Sequence, residues 1–162
     1  MDAKMVTVPA FSVLGIESQG PAGAGPAWIG PLWDRANGRF DEIKHLTEPG
    51  RSGPLGKAWG LMSATDELLA PWKEEGRYLA GWEVEPGTEP PEGWTVWDIP
   101  EQTFAVVACT FATYGEAFRF GLDDFLPAEG YELAGAVHEF YPEEYRDIER
   151  DSLYLYFPVR KR

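Results

Sequence analysis

Two stretches of the chain follow the same order of secondary-structure signals, and this repetition limits the possible folds more than any other feature. Each stretch reads as a strand, a long amphipathic helix and two further strands. Val8-Pro9 in the first stretch matches Ile99-Pro100 in the second. Because sequence identity between them is slight, the repeat is inferred from order and spacing. We predict an α+β fold, a tandem duplication of a strand-helix-strand-strand unit whose copies face each other and enclose a pocket.

A Pro- and Glu-rich segment marks the boundary between the two units. We predict halves at residues 1–86 and 94–162, with residues 87–93 as the linker. The 162 residues suit one domain, 1–162, or two half-domains that share one core. Hydrophobic residues make up 44% of the chain and aromatic residues 14%, a composition that supplies a core and is not typical of disorder.

Apolar side chains recur every three or four residues in two places, and this spacing predicts the two helices. The first stripe runs from Ile29 to Ile43 and the second from Tyr114 to Phe125. Pro31 is compatible with the first helix only within its first turn, because proline lacks the N–H that interior positions donate. Thr113 and Glu116 have the spacing of a capping box, which predicts reciprocal hydrogen bonds at the start of the second helix.

The acidic charge of the chain argues against one class of partner. The formal net charge is −13, whereas nucleic-acid binding needs lysine and arginine side chains that neutralise phosphates. We therefore expect no direct nucleic-acid binding. A negative protein attracts cations instead.

Cysteine content and hydropathy indicate a cytoplasmic protein. Cys109 is the only cysteine, so the chain cannot form an internal disulfide. The N-terminal residues lack the apolar core of a signal peptide, and no apolar run approaches the roughly 20 residues of a membrane-spanning helix. We expect no membrane association, and the sequence specifies no oligomeric state.

One carboxylate lies within an aromatic strand signal, Val137-His138-Glu139-Phe140-Tyr141. Glutamate in a strand usually faces water, and that is the simpler interpretation. Strand residues alternate between faces, however, so Glu139 shares a face with Val137 and Tyr141, which favour burial. A buried carboxylate is costly to ionise, so it has a raised pKa or awaits a cationic ligand. His138 alternates to the other face and is not assigned as its catalytic partner.

Seven tryptophans are more than a small domain usually needs for packing. Core filling explains most of them, but tryptophan and tyrosine also line ligand cavities, since each combines a flat apolar face with a polar group. A cation or a planar ring would find partners among them. The aromatic residues assigned to a ligand-binding site are Trp33, Trp59, Trp82, Phe104, Phe118, Tyr141 and Tyr154.

The sequence lacks the motifs of several other kinds of functional site. The chain has two histidines, one cysteine and no His-Glu-x-x-His, so we predict neither a metal site nor a cofactor. No Gly-x-Ser-x-Gly motif supports a serine nucleophile, although a Ser-His-Asp triad stays open. The glycine-rich segment 20–25 lacks the Gly-Lys-Ser/Thr of a phosphate-binding loop and is interpreted as a hinge.

Several segments, in order along the chain, resemble those of a known family. Tyr78–Val84 (YLAGWEV) is similar to its YLAGVEV segment, and Gly93–Val106 to its GW…IPAGTYAV segment. Glu116–Leu133 resembles its EAY…LPESGYEL pattern, and Glu139–Pro142 and Tyr156–Val159 resemble FEIYP and YIPV. The chain thus resembles the GyrI-like domain, or AraC-type effector-binding domain, over nearly its whole length.

The resemblance implies a curved antiparallel sheet with two helices and a central ligand cavity between tandem units. It implies binding of a small aromatic or cationic molecule, with the glutamate at the position of Glu139 as the acidic anchor. Many relatives carry a helix-turn-helix domain, for which this sequence has no room. The resemblance therefore implies a stand-alone binding domain, which weakens the case for direct transcriptional regulation.

Three segments also resemble a subset of relatives that hydrolyse cyclopropane-bearing DNA-alkylating natural products: Trp28–Trp33, Trp59–Ser63 and Ala112–Glu116. In such a hydrolase Glu139 would orient and deprotonate water, and Tyr114 or a tryptophan N–H would donate to the developing oxyanion. The rings of Trp33 and Trp59 would hold the planar drug.

One acid in an aromatic pocket suits binding and hydrolysis alike, so three hypotheses stay open. The first is a module that captures drug- or toxin-type aromatic or cationic compounds. The second is a detoxifying cyclopropanoid hydrolase. The third is a protein-interaction module similar to the gyrase inhibitor for which the family is named.

Overall fold

Nine strands form one antiparallel sheet in the computed structural model, which describes residues 1–162. The strands are β1 (Lys4–Val8), β2 (Phe11–Pro21), β3 (Ala58–Ser63), β4 (Glu75–Val84), β5 (Thr95–Ile99), β6 (Gln102–Cys109), β7 (Tyr131–Leu133), β8 (His138–Tyr141) and β9 (Leu153–Lys161). Helix α1 spans Gly25–Gly38. Helix α2 spans Tyr114–Arg119 and continues through a π-helical turn, Phe120–Phe125, and one last turn, Leu126–Ala128. The predicted α+β class, with a curved antiparallel sheet and two helices, is confirmed.

Equivalent strands of the two halves follow the same order when the sheet is followed from either edge. The order is β1-β6-β9-β8-β3-β4-β2-β5, with β7 paired to β9. Matching the halves in chain order equates β1 with β5, β2 with β6, β3 with β8 and β4 with β9. The first strand of each half therefore extends the other half, since β1 pairs with β6 and β5 pairs with β2. The halves meet at the centre, where β3 pairs with β8.

Three local expectations in the first half were wrong. The β-branched and aromatic residues from Met5 to Glu17 predict one strand, but the structure has two, β1 and β2, with Pro9 between them. Strand β2 runs on into the expected hinge and ends at Pro21. Pro31 lies well inside α1, because Pro26 occupies the start of the helix, where a proline fits best. The exposed position of Pro31 leaves its ring in solvent.

The expected capping box does not form. The Thr113 hydroxyl accepts a hydrogen bond from the Thr110 amide at 2.9 Å and so closes a turn before the helix. No side chain caps the start of α2. The competing local hydrogen bond takes the hydroxyl that the capping box requires.

Both helices pack on the same face of the sheet, each mainly on the strands of its own half. Leu32 and Ala36 of α1 are buried against β2 and β4, and Ala117 of α2 is buried against β6 and β9. The opposite face carries a third cluster, made of alternate residues on the same strands: Val13, Trp59, Leu61, Leu79, Trp97 and Ile99. No helix in the structure has the length and hydropathy needed to span a bilayer.

Gly60 in β3 leaves space at the junction of the halves. It pairs with Glu139 of β8 and with Ala80 of β4. A methyl group at Gly60 would overlap the hydroxyl of Tyr78 and would lie 2.8 Å from a carboxylate oxygen of Glu139. A glycine is therefore required where these two side chains cross the strand.

We expect Gly60→Ala to lower the free energy of unfolding by about 1–3 kcal/mol, because the added methyl group overpacks a buried site. Urea denaturation would measure the change. Gly38→Ala is the matched control, since Gly38 lies in α1 and a methyl group there meets nothing within 4 Å. Unchanged stability in Gly60→Ala would contradict this account of the junction.

Candidate ligand-binding site

Glu139 is buried at the centre of the sheet. It lies in β8 between Gly60 of β3 and Leu155 of β9, and only 6% of the residue is exposed. Strand alternation places its side chain on the face that carries the two helices. None of the six ion pairs in the structure includes Glu139. The carboxylate is therefore buried without a countercharge.

Three tyrosine hydroxyls donate hydrogen bonds to this carboxylate. The Tyr78 hydroxyl donates to Oε1 at 2.6 Å and the Tyr141 hydroxyl donates to the same oxygen at 2.9 Å. The Tyr114 hydroxyl donates to Oε2. Tyr78 comes from β4 in the first half, whereas Tyr114 at the start of α2 and Tyr141 at the end of β8 come from the second. Both halves are thus needed to complete the cluster.

Trp33 of α1 covers the tyrosine cluster. Its indole N–H donates to the Tyr78 hydroxyl at 2.9 Å, and this hydroxyl in turn donates to Glu139. The Trp33 ring packs edge-on against Tyr141 at 5.5 Å and against Tyr78 at 6.2 Å, measured between ring centroids. Since Trp33 is only partly buried, it stands between the cluster and solvent.

Burial raises the pKa of Glu139, and the three tyrosine hydrogen bonds oppose that rise. Burial and the nearby Glu139 charge raise the pKa of Tyr78, Tyr114 and Tyr141 well above the ordinary value. The phenols consequently stay protonated at neutral pH and act as donors.

His138 plays no part in this cluster. Its Nδ1 accepts a hydrogen bond from the Met62 amide at 3.1 Å. Burial lowers the pKa of His138 to about 4, so the imidazole is neutral at physiological pH. The expectation that His138 does not act on Glu139 stays consistent with this geometry. No group of three His, Cys, Asp or Glu side chains is close enough to share a metal ion.

A cleft of about 350 Å³ opens between α1 and the segment that follows β8. Its size is at the lower end of the roughly 300–1,000 Å³ that small-molecule sites occupy. Trp33 and Tyr141 line it, but Glu139 does not, because these two rings lie between the cleft and the carboxylate. The other lining residues are Gly30, Asp34, Asn37, Pro54, Leu55, Gly56, Ala58, Tyr145, Arg146 and Ile148. Two larger depressions, of about 470 and 540 Å³, lie around residues 48–57 and do not reach Glu139.

The structure brings together some of the predicted site residues. Tyr114 and Tyr141 contact Glu139 directly, and Trp33 lies above them. Phe118 stacks on Tyr114, with ring centroids 6.2 Å apart, and so supports it from α2.

Four other predicted residues do not reach the carboxylate. Trp82 is on the same face but is 1% exposed, packs on Phe40 at 4.8 Å and donates to the Pro54 carbonyl. The remaining three are on the opposite face of the sheet: Trp59, Phe104 and Tyr154. Strand alternation explains Trp59, which is the chain neighbour of Gly60 and points away from Glu139. Trp59 packs instead on Phe11 and Phe140.

Sequence reasoning did not identify Tyr78 and Gly60 as site residues. The period of two places Tyr78 on one face with Ala80 and Trp82, which gives no reason to prefer it over other tyrosines. Its role follows from the register that sets β4 beside β3 and β3 beside β8. A single sequence does not contain that cross-strand register.

The fold is similar to that of several solved structures. SAV2435 bound to tetraphenylphosphonium has a TM-score of 0.70 at 13% identity, with 99% of this chain and 94% of that chain aligned. The EcmrR C-terminal domain has a TM-score of 0.65 at 16% identity, covering 99% and 98%. A hydrolase from Listeria innocua has a TM-score of 0.53 at 11% identity, covering 98% and 92%. At these identities the likeness establishes the fold alone.

The sequence itself matches known proteins over almost all of its length. It is 32% identical over 164 residues to the transcriptional regulator BrlR of Pseudomonas aeruginosa, an alignment that covers 98% of this chain and 56% of BrlR. The chain thus spans about half the length of that curated relative. Residues 1–160 match the family model of the GyrI-like small molecule binding domain. The chain therefore belongs to the GyrI-like small molecule binding domain family.

Proposed function

We propose that this domain captures small lipophilic cations that carry aromatic groups, with Glu139 as the anionic anchor. The observation that carries the proposal is the buried Glu139 carboxylate, which has three hydroxyl donors and no positive partner. A buried charge without a countercharge is costly, and a cationic ligand would supply the missing partner. Tetraphenylphosphonium, the ligand bound by the structurally similar SAV2435, has this chemistry.

The aromatic rings above Glu139 suit such a ligand. Trp33 and Tyr141 present their rings to the cleft, where they can hold a cation through cation–π contacts and an aryl group by stacking. The ligand would reach the carboxylate once these two side chains rotate, since both line the cleft and both contact the tyrosine cluster. Both are partly exposed, so their rotation does not require the core to open.

We expect Glu139→Gln to weaken binding of tetraphenylphosphonium by about ten-fold or more, which corresponds to roughly 1.4 kcal/mol. The amide has nearly the shape of the carboxyl but carries no charge. Isothermal titration calorimetry would measure the dissociation constants. Glu83→Gln is the matched control, because Glu83 is exposed, accepts a hydrogen bond from Trp59 and lies on the opposite face. Equal affinity in wild type and Glu139→Gln would contradict the anchor.

Binding should also strengthen as pH rises through the raised pKa of Glu139, because only the ionised carboxyl attracts the cation. In Glu139→Gln the same titration should be flat. A wild-type affinity that does not change with pH, measured where the fold is intact, would contradict the assignment.

The raised pKa predicts a matching trend in stability. The folded protein holds this proton more tightly than the unfolded chain does. The contribution to stability is thus complete below the unfolded pKa and is lost as pH rises through the folded pKa. The melting temperature of wild type relative to Glu139→Gln should therefore fall with increasing pH. A difference that grows with pH would show that Glu139 has a lowered pKa instead.

Filling the cleft should block binding without harming the fold. Gly30 lies on α1, lines the cleft and has open space where a side chain would begin. We expect Gly30→Leu to weaken tetraphenylphosphonium binding by about ten-fold, while circular dichroism shows that the fold is kept, because the new side chain begins in open space. Gly38→Leu, in the same helix but outside the cleft, is the control. Undiminished binding in Gly30→Leu would show that the ligand lies elsewhere.

A second candidate function, cyclopropanoid hydrolysis, is favoured by the contact between Tyr114 and Glu139. Ionised Glu139 would take a proton from the water that attacks the cyclopropane carbon. In these compounds the cyclopropane is conjugated to a dienone. As the carbon–carbon bond of the ring breaks, its electrons would move to the dienone carbonyl oxygen, which Tyr114 would protonate to give a phenol. The Glu139 proton would then return to Tyr114. Wild-type turnover, followed by absorbance, separates the two functions, because a protein that only binds the compound forms no phenol. Loss of that turnover in Tyr114→Phe would then assign the proton donor.

A further inference from the structure

One stripe of α1 faces the cleft and carries a carboxylate of its own. Gly30, Trp33, Asp34 and Asn37 all line the cleft, and their spacing of three and four residues places them on one side of the helix. Asp34 is exposed and belongs to none of the six ion pairs. The open cleft therefore holds one unpaired carboxylate, separate from Glu139.

The one cationic residue that lines the cleft, Arg146, keeps its charge but forms no ion pair with Asp34. The Arg146 guanidinium donates to the carbonyl oxygens of Glu143 at 2.6 Å and Tyr145 at 2.7 Å. It is thus held against its own loop. Asp34 stays available to a ligand.

The cleft between the two acids is apolar. The rings of Trp33 and Tyr141 separate Asp34 from the buried Glu139 cluster. Leu55 and Ile148 line the same cleft, although they are 57% and 56% exposed. Large aliphatic side chains exposed beside aromatic rings provide surface for an apolar ligand segment. From solvent to core, the order is therefore Asp34, the apolar side chains of the cleft, and the buried Glu139.

We propose that Asp34 is a second, outer anionic anchor and that the site prefers amphiphiles with two cationic groups joined by an apolar spacer. This inference rests on the proposed function, in which Glu139 holds one cation. The inner cationic group pairs with Glu139, the spacer lies along Trp33, Leu55 and Ile148, and the outer group pairs with Asp34. A monocation of the same length uses only the inner anchor.

The expected gain is modest because Asp34 faces solvent. Exposed ion pairs contribute about 0.2–1 kcal/mol, which corresponds to roughly a 1.4- to 5-fold change in affinity. A symmetric dication gains about another factor of two, since either end can occupy the inner position. Added salt should reduce the Asp34 contribution, which is screened, and leave the statistical factor unchanged.

Decamethonium and decyltrimethylammonium form a matched pair for the test, because they share a ten-carbon chain and differ in the second quaternary ammonium group. Calorimetry with the full chain should show that wild type binds decamethonium about three- to ten-fold more tightly. Asp34→Asn should reduce this preference to about two-fold and leave the monocation affinity nearly unchanged. Asp41→Asn, which removes an exposed charge outside the cleft, is the control and should keep the wild-type preference.

The outcomes distinguish failure of the outer anchor from failure of the proposed cation binding. If wild type binds neither compound nor tetraphenylphosphonium, the proposed function itself fails. If tetraphenylphosphonium and the monocation bind but Asp34→Asn keeps the full preference for decamethonium, the outer anchor is overturned and the function stands. An equal loss of preference in Asp41→Asn also overturns it, because the effect would then come from net charge and not from the cleft.

Discussion

The fold depends at its centre on a buried carboxylate whose hydrogen bonds come from both halves of the chain. Ionising Glu139 away from water costs several kcal/mol, and hydrogen bonds to a charged group contribute about 1.5–3 kcal/mol each. Three phenol donors therefore offset much of the cost without introducing a positive charge. The protein tolerates the acid in this form while the carboxylate stays available to a cation.

The symmetry of the sheet explains why the acid lies where it does. Strands β3 and β8 occupy equivalent places in the two halves and pair with each other at the middle of the sheet. Glu139 and Gly60 face each other across that pair, so one half supplies the carboxylate and the other supplies the space. Each helix covers its own half, which leaves the line between them as the natural position for a cleft.

The cleft and the carboxylate are neighbours separated by two side chains. Trp33 belongs to α1 and is tied to Glu139 through the Tyr78 hydroxyl, so any movement of Trp33 breaks a hydrogen bond in the cluster. A ligand gains cation–π contacts and an ion pair but must replace that bond. In the proposed function, selectivity for lipophilic cations would follow from this balance, since a neutral molecule offers no compensation for disturbing a buried charge.

Much of the fold class was accessible from sequence, because the order of strand and helix signals depends on local periodicity. The period of two also placed Glu139 on the face it shares with Val137 and Tyr141, and the acidic composition indicated attraction to cations. Only the tertiary structure decided which aromatic residues meet the carboxylate. Trp59 and Phe104 were as plausible as Tyr78 in sequence, yet cross-strand register and the side of the sheet that each helix covers put them on the opposite face. Local periodicity determines which residues share a strand face, whereas the pairing of distant strands, which no local pattern records, determines which of those faces meet.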